Sequence, residues 1–161
     1  MFYRTSEHNG YLPAGELQKA IQGEYEAIRK GRRLQELAPP DHRIYFSRVV
    51  EEERQGRLAE LTRIYYEHTG CYPVFSKVET PRAYVTGLKA TVDDALEAAW
   101  NYSDLMLTAT DPKVQKLMLR AMNSEMRWVS RLQFLYSNYF HENGDMKHKG
   151  TIGIADKQLP S

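Results

Sequence analysis

The chain has 161 residues, of which 42% are hydrophobic and 27% charged, and its formal net charge at pH 7 is +1. These values are ordinary for one globular domain with a sizeable core, and the near-zero charge gives no compositional case for binding nucleic acid or a membrane surface. Because Cys71 is the single cysteine, an intrachain disulfide and a cysteine-based metal site are excluded, and a cytoplasmic location is the expectation.

Apolar residues at helical spacing predict four helices, so the predicted fold class is all-α. The first helix begins near residue 14 and stops before Pro39-Pro40. The second, with Asp41 as its expected cap, extends to Thr69-Gly70.

A capping residue followed by proline marks the start of each remaining helix. The third is predicted to open at Thr80-Pro81, and the fourth to open at Asp111-Pro112 and end near Asn143-Gly144. The chain then divides into an N-terminal arm (1–13), a four-helix bundle (14–142) and an extended or mobile C-terminal tail (143–161).

The connection between the second and third helices is longer than the other two. The segment "TGCYPVFSKVET" has about twelve residues, and at roughly 3.3 Å per residue it can extend for about 40 Å, the length of a bundle helix. It can therefore bring the third helix in parallel to the second. A single long crossover of this kind is typical of ferritin-like bundles, and an up-down bundle with a loose loop is the alternative.

Charged residues fall on the apolar stripes of three predicted helices. Glu24 lies in the stripe of the first helix, Arg54 and Arg57 in or beside that of the second, and Glu125 at the edge of that of the fourth. Unpaired charges inside a bundle are costly, so we expect these four side chains to meet. The alternative is that each long side chain extends to the rim of the bundle.

Several segments resemble the small bacterial ferritin-like proteins related to rubrerythrin. The similarity lies in "KAIQGEYEAIRKGRRLQELAP", "LAELTRIYYEHTGCYP", "YVTGLKATVDDALEAAWNYSDLMLTATDP" and "AMNSEMRWVSRLQFLYSNYF", and it covers roughly residues 14–140. It implies a four-helix bundle with a carboxylate-bridged dinuclear centre. Such a centre takes one Glu from each of two helices and a Glu-x-x-His pair from each of the other two.

The resemblance places the six ligand positions of that centre on six residues of this chain. Two retain a ligand, Glu24 and Glu125. Four do not, and they are Arg54, Arg57, Ala95 and Trp128. Arginine offers only hydrogen-bond donors and cannot coordinate a metal. The resemblance therefore implies a degenerate centre that holds no metal, a pseudoenzyme with no catalytic residue, no metal ligand set and no cofactor.

Two shifts of register remain open. A slip of three residues in the second helix places Glu51 and Arg54 at the ligand pair, and Glu97 is close enough in sequence to replace the carboxylate missing at Ala95. Neither supplies a histidine, and all five histidines lie at termini or helix ends.

Three functional hypotheses follow. The first is a metal-free structural or interaction protein, with a homodimer expected by analogy and a surface that includes Phe2, Tyr3, Tyr11, Tyr72 and Phe75. The second is a peroxidase-, ferroxidase- or storage-like protein with two iron or manganese ions in a rearranged ligand set. The third is a small-ligand pocket in which Arg54 and Arg57 receive an anion.

Overall fold

The computed structural model describes the backbone of residues 12–151 and the side chains of residues 12–143. Its first helix, α1, is Ala14–Leu37, and it ends just ahead of Pro39 as predicted. Leu12, which the prediction assigned to the arm, is 1% exposed and packs in the core. The rest of the predicted arm, residues 1–11, lies outside the described residues.

The second helix, α2, has three consecutive parts: an α-helix at Arg43–Ser47, a π-helical segment at Arg48–Arg54 and an α-helix at Gln55–Thr69. Asp41 does not cap it, because His42 takes the cap position and the backbone closes the turn, with His42 N donating to Pro39 O at 3.0 Å. Gly70 follows the last residue of this helix and caps it, and its φ of 72° is a left-handed conformation that glycine adopts at little cost.

The crossover, residues 70–83, lies along α1. Gln18 exchanges hydrogen bonds with the backbone of Val74, and Gln22 with that of Ser76. Further on, Arg33 Nε donates to Pro81 O at 3.3 Å. The crossover therefore advances in the same direction as α1 and returns the chain to the end of the bundle where α2 begins.

The third helix, α3, is Tyr84–Thr108, and it runs parallel to α2. Near its start Phe46 of α2 meets Tyr84, and near its end Tyr102 and Leu105 share a core cluster with Leu61 of α2. The predicted start at Thr80-Pro81 is wrong by about three residues. Pro81 instead packs where a side chain at Gly87 would lie and remains part of the crossover.

The fourth helix, α4, is Pro112–Thr151, and here the expected cap is present, with Asp111 Oδ1 accepting from Lys113 N at 2.8 Å. The predicted end near Asn143 is wrong, since residues 143–151 continue the helix rather than form an extended tail. A glycine inside a helix costs only about 1 kcal/mol, which the surrounding turns can offset. Residues 152–161 lie outside the described part.

The described residues form an all-helical bundle with two apolar clusters, one toward each end. The first includes Leu17, Ile21, Leu61, Ile64 and Leu117, and the second Leu34, Phe46, Leu88, Trp128 and Leu132. No helix within the described ranges is both long and apolar enough to cross a bilayer. The charged residues predicted to face inward lie between the two clusters.

Candidate functional site

The centre of the bundle holds four buried charges. Glu24 is 2% exposed, Glu125 1%, Arg54 5% and Arg57 9%. They come from α1, α2 and α4, and each charge has partners of opposite sign within hydrogen-bonding distance. The expectation that the inward charges meet is confirmed.

Arg57 contacts both carboxylates. Its Nε donates to Glu24 Oε1 at 2.7 Å, its Nη2 lies 3.4 Å from Glu24 Oε2, and the same Nη2 donates to Glu125 Oε1 at 2.8 Å. The planar guanidinium therefore faces both oxygens of Glu24 on α1 and also contacts Glu125 on α4.

Arg54 forms the second bridge. Its Nη2 donates to Glu125 Oε2 at 2.9 Å, and its Nη1 lies 2.9 Å from Glu125 Oε1 and 3.3 Å from Glu24 Oε2. The spacing of three residues thus places Arg54 and Arg57 on one face of α2, above the same two carboxylates.

Tyr102 of α3 completes the cluster, and the sequence analysis did not assign it to the site. Its hydroxyl donates a short hydrogen bond to Glu24 Oε1, and the guanidinium carbon of Arg57 lies 5.7 Å from the centre of its ring. One feature of the sequence could have indicated this role: Tyr102 carries a hydroxyl on an otherwise apolar helix stripe, seven residues after Ala95. With Tyr102, all four helices contribute to one polar network.

The environment moves the pKa values of these groups in different directions. Burial alone would raise the pKa of Glu24, but the charges of Arg57 and Arg54 and the hydrogen bonds from Arg57 and Tyr102 outweigh it and lower that pKa. For Glu125 burial dominates, reinforced by the charge of Glu24, and its pKa is raised.

The other three groups of the network keep the charges they have in water. Burial alone would lower the pKa of the Arg54 and Arg57 guanidiniums, but the negative charges of the two glutamates outweigh it and raise the pKa of each. Burial and the charge of Glu24 hold the pKa of Tyr102 well above its usual range, so its hydroxyl stays protonated and remains a donor. The network therefore pairs two permanent cations with two carboxylates.

The π-helical segment sets the position of Arg54 at its end. Gln55 N donates to Val50 O, the five-residue spacing of a π-turn, and Val50 is 1% exposed. A Cβ at Gly31 of α1 would lie 2.6 Å from Val50 Cγ2, so only glycine allows this close approach. Segments of π-helix are frequent at functional sites because the extra residue redirects the side chains that follow.

The other two residues placed at ligand positions are also buried. Ala95 is 3% exposed and Trp128 6%, and they belong to the same apolar cluster. The indole of Trp128 meets Phe46 edge-on, with ring centres 5.4 Å apart. The guanidiniums of Arg54 and Arg57 make their hydrogen bonds to the carboxylates.

The alternative ligand positions face solvent. Glu51 is exposed and pairs with Arg32 of α1 at 3.1 Å, and Glu97 is exposed at the rim of a cavity. Neither carboxylate is part of the buried network, so the two register shifts considered from the sequence do not bring a further ligand to the centre.

A cavity of about 480 Å³ lies between α1 and α3 and reaches the network. Its inner wall includes Glu24, Arg54, Tyr102 and Trp128. Its rim carries five acidic and two basic residues, Glu16, Glu26, Asp94, Glu97 and Asp104 against Lys19 and Lys30. Ala95 and Trp128 both line this cavity, so the indole fills only part of the space beside Ala95.

Comparison with protein-family models, with curated proteins and with solved structures finds no match to this chain.

Proposed function

We propose that this chain is a ferritin-like structural or interaction protein in which a Glu/Arg network and Trp128 replace the dinuclear metal centre. One observation carries the proposal: the guanidiniums of Arg54 and Arg57 contact both carboxylates that a metal pair would need. A metal ion at this position would have to displace two permanent cations and would meet no histidine.

The charge balance supports the same conclusion. A dinuclear centre of this class offsets two metal ions with four carboxylates, whereas here two arginines are offset by two glutamates. Arg54 and Arg57 are three residues apart, which is the spacing of the Glu-x-x-His pair whose place they take. The centre therefore keeps a ferritin-like arrangement with its function changed from metal binding to helix-to-helix pairing.

The metal content of the purified chain tests this proposal. Iron, manganese and zinc would be measured after purification, and again after incubation with ferrous or manganous ion and removal of the excess. We expect the chain to hold no metal ion whose binding requires Glu24 or Glu125. About two metal ions per chain, lost together in the Glu24→Gln/Glu125→Gln variant, would support the dinuclear alternative instead.

The interaction role is supported by apolar side chains on the outside of the bundle. Trp100 and Leu107 of α3 are 71% and 76% exposed. They lie on one helix face with Leu96, since Trp100 is four residues after Leu96 and Leu107 is seven residues after Trp100. Leu119 and Met126 of α4 are 41% and 47% exposed and seven residues apart. Exposed apolar stripes of this kind suit a protein partner, and by analogy with ferritin-like bundles the partner is a second copy of the chain.

Two of the surface aromatics named from the sequence have neighbours on the bundle. The ring of Tyr72 lies 4.8 Å from that of Tyr66, and Phe75 lies 4.5 Å from Tyr25. They help to hold the crossover, although Tyr72 remains 74% exposed. Phe2, Tyr3 and Tyr11 lie outside the described residues.

The cavity between α1 and α3 favours a second candidate function, the binding of a small molecule. Its volume is within the usual range for ligand pockets. An anion would compete with Glu24 and Glu125 for the arginines, whereas the acidic rim suits a cation such as a polyamine. Thermal unfolding with spermidine or sulfate tests this: a spermidine-specific rise in Tm that Glu97→Gln reduces would support it, and no rise would exclude it.

A further inference from the structure

His42 is a buried histidine with one unsatisfied nitrogen. Its side chain lies in the turn between α1 and α2 and is 2% exposed, and its Nδ1 is 2.7 Å from the hydroxyl of Tyr84. Its Nε2 is buried and has no hydrogen-bond partner among the described residues. A buried polar atom of this kind is costly unless something binds it.

Two carboxylates lie close to this imidazole. Asp41 Oδ2 is 3.8 Å from Nε2, too far for a hydrogen bond. Glu142 approaches from α4, and the candidate ligand atoms of Asp41, His42 and Glu142 all lie within 4.8 Å of one another. One end of α2 and the distal part of α4 therefore bring an imidazole and two carboxylates together.

A small movement of the two carboxylates would bring these ligand atoms to the separations found around a divalent metal ion. In tetrahedral zinc sites the ligand atoms are about 2.0 Å from the metal, which puts them about 3.3 Å from one another. Both carboxylates are exposed, and Glu142 accepts a long hydrogen bond from Asn138 Nδ2 at 3.4 Å, whereas the imidazole is held in place by its burial. Only the exposed carboxylates have to move to close the site.

Tyr84 is placed to hold His42 in the tautomer that metal binding requires. Its hydroxyl oxygen lies 2.7 Å from Nδ1 and can accept a hydrogen bond from Nδ1–H. In that tautomer the lone pair of the imidazole is on Nε2, the nitrogen that lies 3.8 Å from Asp41 Oδ2. Metal-binding histidines commonly donate their other N–H to a partner in this manner.

We propose that Asp41, His42 and Glu142 bind one divalent transition-metal ion, for which Zn²⁺ is the fitting probe, with water in the remaining position. The ion would join the start of α2 to the far part of α4 and stabilise that end of the bundle. This site is separate from the bundle centre and shares no residue with the Glu/Arg network, so it goes beyond the proposed function.

Zinc titration of the full-length, metal-stripped chain by isothermal calorimetry tests the site. The expected result is one Zn²⁺ per chain, with affinity reduced at least tenfold in each of Asp41→Asn and Glu142→Gln. Both residues are exposed, so these variants should fold. His141→Gln is the matched control, because His141 is an exposed histidine beside Glu142 and should leave the affinity unchanged.

A long-range ¹H–¹⁵N spectrum of the imidazoles provides the second readout. Zinc should shift the Nε2 resonance of His42 and leave Nδ1 protonated. Absence of zinc binding would overturn the proposal, and so would zinc binding that neither Asp41→Asn nor Glu142→Gln weakens. Because neither residue touches Glu24 or Glu125, these outcomes are distinct from those that test the bundle centre.

Discussion

Arg57 contacts both carboxylate oxygens of Glu24 with one edge of its guanidinium, with Nε 2.7 Å from Oε1 and Nη2 3.4 Å from Oε2. The carboxylate is 2% exposed, so water has little access to its oxygens. Such a pair can repay the cost of removing two charges from water only if the remaining donors and acceptors are also satisfied. Tyr102, Arg54 and Glu125 satisfy them here.

Glu24→Ala should destabilise the bundle by about 3–5 kcal/mol, because it removes the partner of a buried arginine. Urea unfolding at neutral pH measures the change. Glu16→Ala is the control on the same helix, since Glu16 is exposed and pairs with the exposed Lys19 at 3.5 Å. This variant should change the free energy of unfolding by less than about 0.5 kcal/mol. A loss below about 1 kcal/mol in Glu24→Ala would show that the network adds little to stability.

Replacing the whole network by apolar residues should have the opposite effect. The variant Glu24→Leu/Arg54→Met/Arg57→Met/Glu125→Leu strands no charge, and exchange of buried ion networks for apolar side chains is often neutral or stabilising by about 1–4 kcal/mol. The measurement is again the free energy of unfolding in urea. If this variant is less stable than Glu24→Ala, the charges are needed for packing at the π-helical segment.

Acid should weaken the bundle partly through Glu24. Its pKa is lowered in the folded chain, so its contribution is fully present above the unfolded value of about 4.3 and is lost as the pH falls through the folded pKa. Glu125 has the opposite sign, because its raised pKa means that the folded chain binds the proton more tightly.

The two glutamates can therefore be separated by their pH profiles. Glu24→Gln should remove much of the loss of stability below about pH 4.3, whereas Glu125→Gln should leave that loss in place. The free energy of unfolding would be measured in urea from pH 3 to pH 7 for both variants and the parent. Equal acid slopes in all three proteins would show that other carboxylates dominate acid unfolding.

The sequence was sufficient to predict the parts of the fold that depend on spacing. Proline after Leu37, glycine after Thr69 and Asp111 before Pro112 mark helix ends that the structure contains. The inward charges were predictable because a stripe of 3.6-residue period defines which residues share a face.

Features that depend on packing between helices were not predictable. The π-helical segment ending at Arg54 contains Val50, which closely approaches Gly31 in a contact between two helices. The late start of α3 depends on Pro81 packing against α1 and Gly87. Likewise, Tyr102 joins the network only because α3 runs parallel to α2 and brings its hydroxyl to Glu24.

A charged residue on the outer face of α3 tests the interaction role. If a second copy docks on that face, Trp100→Arg should convert a dimer to a monomer in sedimentation experiments without lowering Tm by more than a few degrees. Val74→Arg is the matched control, because Val74 is 78% exposed but lies on the crossover. A parent chain that is monomeric at all concentrations would exclude a homodimer.

The final prediction is that substitutions at the bundle centre can restore a dinuclear metal site. The changes Arg54→Glu, Arg57→His, Ala95→Glu and Trp128→His, with Glu24 and Glu125 retained, provide four carboxylates and two imidazoles. Without metal this variant should be much less stable than the parent, because four carboxylates crowd one buried site and repel one another.

Ferrous or manganous ion should restore the stability of the variant, since a metal that binds only the folded chain shifts the unfolding equilibrium. Thermal unfolding of parent and variant, with and without metal, provides the comparison, and both proteins would carry Glu142→Gln to remove the site at His42. Arg54→Glu alone is the control, and it should destabilise the chain without a response to metal. A variant that folds but ignores metal would show that the backbone no longer permits the dinuclear geometry, and a parent strongly stabilised by metal would refute the proposed loss of the centre.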